Sequence, residues 1–199
     1  MNFIVSRQNL KNVKINYDNI CATEYFFTDT FGNTPIVNTS FKVCYYNKKL
    51  IFAFRCYFEG ELPNSYMKKG GKVFRSESVE VMLAFESKLV NYYSFAASPY
   101  NKTFLAYITN FDKMKPLPLE IENDLIKSYT EINNGFYDVV MVIPIDKFVD
   151  NFNVKTTTAY FNAFRVNMDG SKRKSSCLYK TNSISHHVPE SFRKIEIVE

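Results

Sequence analysis

Hydrophobic and polar residues alternate through the later part of the stretch Val73–Phe85. One set is apolar and consists of Val79, Val81, Leu83 and Phe85, and the intervening set consists of Ser78, Glu80, Met82 and Ala84. Period-two alternation with β-branched and aromatic residues predicts a strand with one buried face. Glu77 and Glu80 face opposite sides of such an extended chain, so they make a poor acid–base pair. The simplest interpretation is a strand preceded by a solvated turn.

The segment Phe41–Phe58 predicts a β-hairpin whose register follows from the same kind of pattern. A two-residue turn at Asn47-Lys48 would pair residue 46 with 49 and residue 43 with 52. The residues that then share one face are Phe41, Val43, Tyr45, Leu50, Phe52, Phe54 and Cys56. A loop longer by one residue would scatter the aromatic residues over both faces, so the pattern selects the two-residue turn or a four-residue loop. Cys44 and Cys56 then lie on opposite faces and should not form a disulfide.

Other apolar segments, separated by turn signals, predict the remaining strands. We expect strands at Ile20–Phe27, Tyr92–Ser98, Thr103–Thr109, Phe136–Ile143, Thr156–Asn167, Cys177–Lys180 and Lys194–Val198. Loops or turns are expected at Glu59–Lys72, Phe111–Asn123 and Met168–Ser176, and a helical turn or strand exit at Pro144–Phe148. In no long segment do apolar residues recur with the 3.6-residue period of an α-helix. These features indicate an all-β chain with little helix, folded as a single antiparallel two-sheet β-sandwich of the immunoglobulin-like or jelly-roll-like kind.

Composition fits one globular domain over residues 1–199. Hydrophobic residues make up 46% of the chain and charged residues 23%, which is typical of a folded domain. The chain has 19 Phe and 14 Tyr but no Trp, so part of the aromatic content is available for a binding face. The net charge is +5, and the only cluster of cations is Lys172-Arg173-Lys174. One such cluster in a Gly- and Ser-flanked turn does not predict nucleic-acid binding.

Targeting signals, metal sites and catalytic sites are not evident in the sequence. No apolar run reaches the ~20 residues of a membrane span, and the N-terminus lacks the features of a secretory signal. We therefore expect a cytoplasmic protein with no membrane partner, unless the chain has been trimmed. The four cysteines lack zinc-type spacing and resemble core residues. His186 and His187 face opposite ways on a strand, and neither haem ligation nor convergent acid–base groups can be recognised.

The order of several motifs resembles that of the family-nine carbohydrate-binding modules. Phe74–Glu80 is similar to the Trp-x-x-Asp-Asp-Ser-Val-Glu-type stretch that enters a core strand in that family. A Tyr-Tyr-x-Phe strand follows at Tyr92–Phe95, and an amphipathic strand leads into Ile-Pro at Pro144. The later motifs are an Asn-x-x-Arg strand at Asn162–Arg165 and a His-x-Pro-Glu-x-Phe element at His187–Phe192. The resemblance covers about residues 40–199.

This resemblance implies a non-catalytic, bacterial domain that binds a mono- or oligosaccharide and is accessory to a glycoside hydrolase in carbohydrate catabolism. In the family, two tryptophans clamp a sugar ring, helped by an acidic residue, arginines and amides. Carried over, Phe74 and Tyr179 take the clamp positions, Glu77 the acidic role, Arg165 the guanidinium role and Asn162 a supporting amide role. Aromatic faces pack on sugar C–H faces, and the polar groups satisfy the hydroxyls. Without Trp, we expect weak binding, with a Kd of ~1 mM.

The family also often carries structural calcium. The sequence shows no dense group of Asp, Glu and Asn residues of the kind that calcium requires, so we expect neither a metal nor another cofactor. The sequence indicates no particular oligomeric state.

Each proposed site residue also has a structural interpretation. Phe74 could be a core aromatic and Tyr179 a half-buried strand residue. Arg165 could form an ion pair with Glu77 or Glu80 across the sheet. The alternative function is therefore a protein-interaction or scaffold β-sandwich that has lost the sugar site. Such a protein would show Phe74 and Tyr179 buried or apart, whereas a sugar-binding module would show them exposed and flanking a cleft with Arg165 and Glu77.

Overall fold

The computed structural model describes residues 3–62, 73–109, 113–116, 125–150, 153, 157–170 and 172–198. The strands are β1 (Phe3–Arg7), β2 (Tyr25–Phe26), β3 (Thr28–Asp29), β4 (Thr39–Tyr46), β5 (Lys49–Tyr57), β6 (Ser78–Ala84), β7 (Tyr92–Ala97), β8 (Thr103–Thr109), β9 (Lys113–Pro116), β10 (Lys127–Asn133), β11 (Phe136–Pro144), β12 (Ala159–Asp169), β13 (Lys172–Cys177) and β14 (Arg193–Val198). Short 3₁₀ helices span Val73–Arg75, Ile145–Lys147 and Pro189–Ser191.

The strands form one continuous hydrogen-bonded sheet that curls into a sandwich. Its order is β10-β11-β5-β4-β1-β14-β12-β6-β7-β8-β9, with β13 beside β12 and β3, and β2 beside β4. We call β10, β11, β5 and β4 the first layer, and β12, β6, β7, β8 and β9 the second layer. The layers face each other, since the Phe161 ring of β12 lies 5.7 Å from Phe52 of β5 and 6.2 Å from Phe41 of β4. The predicted all-β sandwich is confirmed, although β1 pairs in parallel with both β14 and β4.

The β4–β5 hairpin has the predicted register. Tyr46 pairs with Lys49 and Val43 pairs with Phe52. Asn47 and Lys48 have φ angles of 44° and 60°, and a two-residue hairpin turn of the I′ type needs positive φ at both positions. The whole predicted apolar face of the hairpin lies in the core between the layers. Hydrophobic patterning therefore selects the register, as expected.

Strand β6 differs from the prediction because both of its faces are buried. All residues from Ser78 to Ala84 are buried. Val79, Val81 and Leu83 face the core between the layers, as predicted. The opposite, outer face contains Met82 and Ala84 and packs in a second cluster with the turn at Val73 and with Phe192. The strand therefore has no solvent-facing side, because chain segments distant in sequence cover it, whereas the preceding turn is solvated in part, with Arg75 exposed and Val73 and Glu77 buried.

The outer face of the first layer is covered in the same way. The segment containing Leu10, Tyr17 and Ile20 packs over a third cluster of buried residues. The strand residues in this cluster are Cys44, Ile51, Ala53, Val140 and Val142. Both layers are therefore covered on two sides. This explains why so many strands have apolar residues on both of their faces.

Several element boundaries also differ from the sequence prediction. The pattern does not predict β1 or β10. The expected strand at Ile20–Phe27 is reduced to β2, and the expected strand at Cys177–Lys180 is reduced to the end of β13. The expected turn at Met168–Ser176 is mostly strand, because β12 continues to Asp169 and β13 begins at Lys172.

Two predicted loops lie partly outside the described residues. β9 occupies part of the expected loop Phe111–Asn123, and the rest of that segment, at residues 111–112 and 117–123, lies outside the described residues. Residues 63–72 of the expected loop Glu59–Lys72 also lie outside them. The helical turn expected near Pro144 is present at Ile145–Lys147. Across the described ranges, no helix combines the length and apolar character that crossing a membrane would require.

The four cysteines give a direct test of this burial pattern. All four are free thiols, and Cys21 is exposed whereas Cys44, Cys56 and Cys177 are buried. Burial raises the pKa of each of these three thiols to about 12, and only a thiolate reacts readily. We expect a thiol reagent at pH 8 to modify one cysteine in the native protein and all four after unfolding. Loss of native labelling in Cys21→Ser is the control, and rapid native labelling of more than one thiol would contradict the fold.

Candidate functional site

Glu77 and Arg165, two of the predicted ligand residues, form a buried ion pair. The Arg165 guanidinium lies 3.1 Å from Glu77 Oε1, and the two side chains are 0% and 1% exposed. The same oxygen accepts a hydrogen bond of 2.6 Å from the Tyr137 hydroxyl. Glu77 Oε2 accepts bonds from the Asn167 amide and from the Met168 backbone N–H. Every oxygen of this carboxylate is therefore occupied by the protein.

The remaining donors of Arg165 join the two layers. Its Nη1 donates to the Asn38 carbonyl at 3.0 Å and to Thr39 Oγ1 at 3.1 Å, and its Nη2 donates to the Tyr57 carbonyl at 2.7 Å. Arg165 belongs to the second layer, whereas Thr39 and Tyr57 belong to the first. A buried guanidinium needs this degree of pairing to offset the loss of its hydration. Of the interpretations offered by the sequence, the structure shows the ion pair with Glu77.

Asn162 holds the segment that contains Tyr179. Its Nδ2 donates to the Tyr179 carbonyl at 2.8 Å and to Ser191 Oγ at 2.9 Å, and its Oδ1 accepts from the Tyr179 N–H at 3.1 Å. The Tyr179 ring packs edge-on against Phe3 and Phe161. It is half-buried, and burial raises the pKa of its hydroxyl to about 12. The Asn162 amide is therefore occupied by hydrogen bonds that hold the Tyr179 segment in place.

Phe74 lies on the outer side of the second layer, away from the core between the layers. Its ring packs 5.1 Å from Phe104 in the outer-face cluster, and the exposed Arg75 guanidinium lies 5.9 Å from the Phe74 ring centre. Tyr179 instead packs against the core between the layers. The structure therefore brings Glu77 together with Arg165 and Asn162 together with Tyr179, but it does not bring the two expected clamp aromatics together.

The outer face of the second layer carries a second buried polar group, formed by Glu80, Ser94 and His186. His186 Nδ1 lies 2.8 Å from Glu80 Oε2, and the Ser94 hydroxyl donates to Glu80 Oε1 at 2.5 Å. The imidazole stacks on Phe164, with ring centres 4.4 Å apart. Burial alone would raise the pKa of Glu80, but the hydrogen bond and electrostatic interaction with His186, together with the Ser94 hydrogen bond, outweigh it and lower that pKa. The carboxylate is therefore ionised at neutral pH.

These residue types occur in hydrolase triads, but the connectivity is different. In a triad the serine bonds to the imidazole, which the carboxylate orients from its other nitrogen. Here Ser94 bonds to the carboxylate instead. Within the described residues, His186 Nε2 is buried without a hydrogen-bond partner. The group is thus a hydrogen-bonded anchor with one polar atom left unpaired among the described residues, and it does not present an activated nucleophile.

The sequence contained only part of the signal for this group. Alternation along β6 places Glu80 and Glu77 on opposite faces, as predicted. Glu80 therefore faces the outer side of the second layer, where the structure also places Phe74. The partner His186 is 106 residues away, and no local pattern relates the two positions. The expectation that His186 and His187 do not form a metal site remains a prediction. Among the described residues, no group of three or more His, Cys, Asp or Glu side chains is arranged to hold a metal ion.

Several cavities open on the surface away from Phe74. One of about 430 Å³ is lined by Phe58, Glu77, Asn167 and Lys174, among others, and shares its wall with a smaller cavity of about 270 Å³. Glu77 is the one predicted site residue that lines either of them. A larger groove of about 620 Å³ lies along β10.

The fold is similar to that of three solved structures. A candidate carbohydrate-binding protein from Bacteroides uniformis has a TM-score of 0.73 at 12% identity, over 91% of this chain and 88% of that chain. A family 9 carbohydrate-binding module from Caldicellulosiruptor kristjanssonii in complex with cellotriose has a TM-score of 0.67 at 13% identity, over 98% and 92% of the chains. The complex of such a module with glucose gives 0.64 at 14% identity, over 98% and 95%. No family model and no curated protein matches the chain.

Removal of one partner of the Glu77–Arg165 pair should destabilise the protein strongly. We expect Arg165→Met and Glu77→Gln each to lower the free energy of unfolding by about 3–5 kcal/mol, because the remaining group is left uncompensated in the interior. Urea unfolding followed by circular dichroism measures this. The control is Lys174→Met, which breaks an ion pair with Asp169 whose side chains are 35% and 64% exposed. That change should cost less than about 1 kcal/mol, and equal effects of the two cation substitutions would contradict the prediction.

The lowered pKa of Glu80 predicts a pH-dependent stability difference between the wild type and Glu80→Gln. A carboxyl whose pKa is lower in the folded state stabilises the protein fully above its unfolded value of about 4.3. This stabilisation is lost as pH falls through the folded pKa. We therefore expect the wild type to exceed Glu80→Gln most at pH 5–7 and least in acid, measured by urea unfolding across pH. Glu190→Gln, at an exposed carboxylate, is the control, and a difference that grows in acid would disprove the assignment.

Proposed function

We propose that the protein binds saccharides without catalysis, on the outer face of the second layer around Phe74. The observation that carries this proposal is the likeness of nearly the whole chain to family 9 modules that were solved with cellotriose and with glucose. The fold is shared with those proteins, and the same fold presents an aromatic and polar surface here. The role of an accessory domain to a glycoside hydrolase belongs to the same proposal.

The surface around Phe74 has the chemical groups that a sugar needs. The half-buried Phe74 ring offers an apolar face for the C–H groups of a pyranose. The exposed Arg75 guanidinium beside it can donate hydrogen bonds to hydroxyls. His186 packs on Phe164 of the same outer-face cluster, and its Nε2 has no partner among the described residues, so a ligand hydroxyl that reached it would satisfy this buried atom. His186 is 4% exposed, so this last contact requires its segment to shift.

In this proposal the guanidinium role belongs to Arg75 instead of Arg165. Glu80 does not replace Glu77 as a sugar ligand, because its buried oxygens are bonded to His186 and Ser94. Glu77, Arg165 and Asn162 support the site indirectly, because their bonds fix the strands and segments that surround it. A sugar at Phe74 has no second stacking aromatic of tryptophan size, so we expect binding with a Kd of ~1 mM.

A scaffold or protein-interaction role is the second candidate, and one observation favours it. Phe74 and Tyr179 pack against different clusters on different sides of the second layer. Such a separation is what a sandwich that had lost its sugar clamp would show. The same experiment separates the two functions.

The test is a saturation-transfer NMR experiment with glucose and cellotriose at millimolar concentrations. We expect a signal with wild type and its loss in Phe74→Ala, because the stacking surface is removed. Tyr179→Ala is the matched control, since it removes a half-buried aromatic ring on the other side of the layer. Arg75→Ala changes only an exposed side chain and should weaken the signal without affecting the fold.

Three outcomes would count against the proposal. A signal that survives in Phe74→Ala and disappears in Tyr179→Ala would move the site to Tyr179. A signal that survives in both variants would retain sugar binding but exclude this surface. If the wild-type protein gives no signal with either sugar, the scaffold function is supported instead.

A further inference from the structure

A groove of about 620 Å³ lies on the first layer, and Phe74 does not line it. Four separate parts of the chain form it: the covering segment at Val13–Tyr17, the edge strand β10, its neighbour β11, and the turn at Asn101 between β7 and β8. Its volume falls within the roughly 300–1,000 Å³ of small-ligand sites. None of the residues predicted from the sequence lines it.

The groove combines one aromatic platform with neutral polar groups. The Tyr129 ring is 44% exposed and lies in the wall. Asn16 and Asn101 also line the groove, as do Ser128 and Thr130, whose side chains alternation places on the face of β10 opposite to Tyr129. The Ser128 hydroxyl donates to Asn101 Oδ1, which ties the edge strand to the β7–β8 turn. An aromatic ring with polar side chains along the same groove is the arrangement that a polyhydroxylated ring requires.

A carboxylate at the floor of the groove is held in a fixed position. Asp138 accepts two hydrogen bonds of 2.9 Å from Arg55, one from Nε and one from Nη2. Its side chain is 9% exposed. A bidentate pair of this kind fixes the acceptor geometry and leaves further lone pairs for a ligand hydroxyl. The Asp138 carboxylate is thus an oriented hydrogen-bond acceptor whose negative charge is largely offset by Arg55.

The other charges in the groove also oppose each other. Arg55 pairs with Asp138 and also with Asp18, each at 2.9 Å, and the remaining charged lining residues are Lys14 and Glu131, of opposite sign. An anion would meet repulsion from these carboxylates, and a cation would meet repulsion from Arg55 and Lys14. A neutral ligand with several hydroxyl groups would avoid that conflict.

We propose that this groove is a second saccharide site, which takes a neutral mono- or disaccharide stacked on Tyr129 and hydrogen-bonded to Asn101 and Asp138. It shares its ligand class with the proposed Phe74 site but stands on different residues. The domain would then carry two sites and could bridge two sugar chains. Binding at two weak sites on one body raises the apparent affinity for a polymer without any new contact.

The experiment is a titration of ¹⁵N-labelled protein with glucose and with cellotriose at millimolar concentrations, followed by amide chemical shifts. We expect two separate sets of saturable shifts, one around Ser128–Glu131 and one around Phe74. Tyr129→Ala should weaken the first set roughly tenfold and leave the second unchanged. Tyr57→Ala is the matched control, because Tyr57 is also a strand tyrosine of similar exposure, at 43%, and does not line the groove. Asn101→Gly provides a second groove variant, because glycine removes the amide and tolerates the φ of 55° at this turn.

The outcomes distinguish this inference from the proposed function. If Phe74→Ala abolishes all shifts, the groove is not a site, and the Phe74 proposal stands. If Tyr129→Ala abolishes all shifts and Phe74→Ala none, the groove is the sugar site and the Phe74 proposal is wrong. Equal weakening by Tyr129→Ala and Tyr57→Ala would overturn the stacking role of Tyr129. Absence of saturable shifts with both sugars would overturn both proposals.

Discussion

The buried pair of Glu77 and Arg165 is the constraint on which the sandwich depends. Both residues start from the second layer, yet their hydrogen bonds reach Tyr137, Thr39 and the Tyr57 carbonyl in the first layer. Charges inside a protein are tolerated only when partners replace their water, so this network permits few relative positions of the layers. Hydrophobic contacts between the layers are less directional than these hydrogen bonds. The pair therefore fixes the position of one layer relative to the other, in addition to stabilising the fold.

The inward placement of Glu77 also determines what the outer face can present. The 3₁₀ turn Val73–Arg75 comes directly before it and packs on β6, β7 and β8. Phe74 and Arg75 consequently lie beside the outer-face cluster. The two proposed sugar surfaces stand on different elements, since Phe74 belongs to this turn and Tyr129 to the edge strand β10. The interior network holds the layers that carry both rings.

Much of the fold could be predicted from the sequence, but only part of the candidate site. The β4–β5 register and the inward face of β6 follow from alternation, because parity on a strand is a local property. The site residues were harder to predict, because an Arg beside carboxylates is equally compatible with ligand binding and with an internal ion pair. Arg165 and Asn162 proved to be fully engaged by the protein. The resemblance to carbohydrate-binding modules agreed with the fold, although it did not identify which face each residue occupies.

The sequence alone determined the strand content, the hairpin turn at Asn47-Lys48 and the opposite directions of Glu77 and Glu80. These features depend on neighbouring residues, whose geometry is set by short-range sterics and side-chain alternation. Only the tertiary structure decided that both faces of β6 are covered, that His186 meets Glu80 across 106 residues, and that Phe74 and Tyr179 are separated. Those outcomes depend on which distant segments cover each layer, and the free energy that selects them is spread over the whole core rather than encoded in any local pattern.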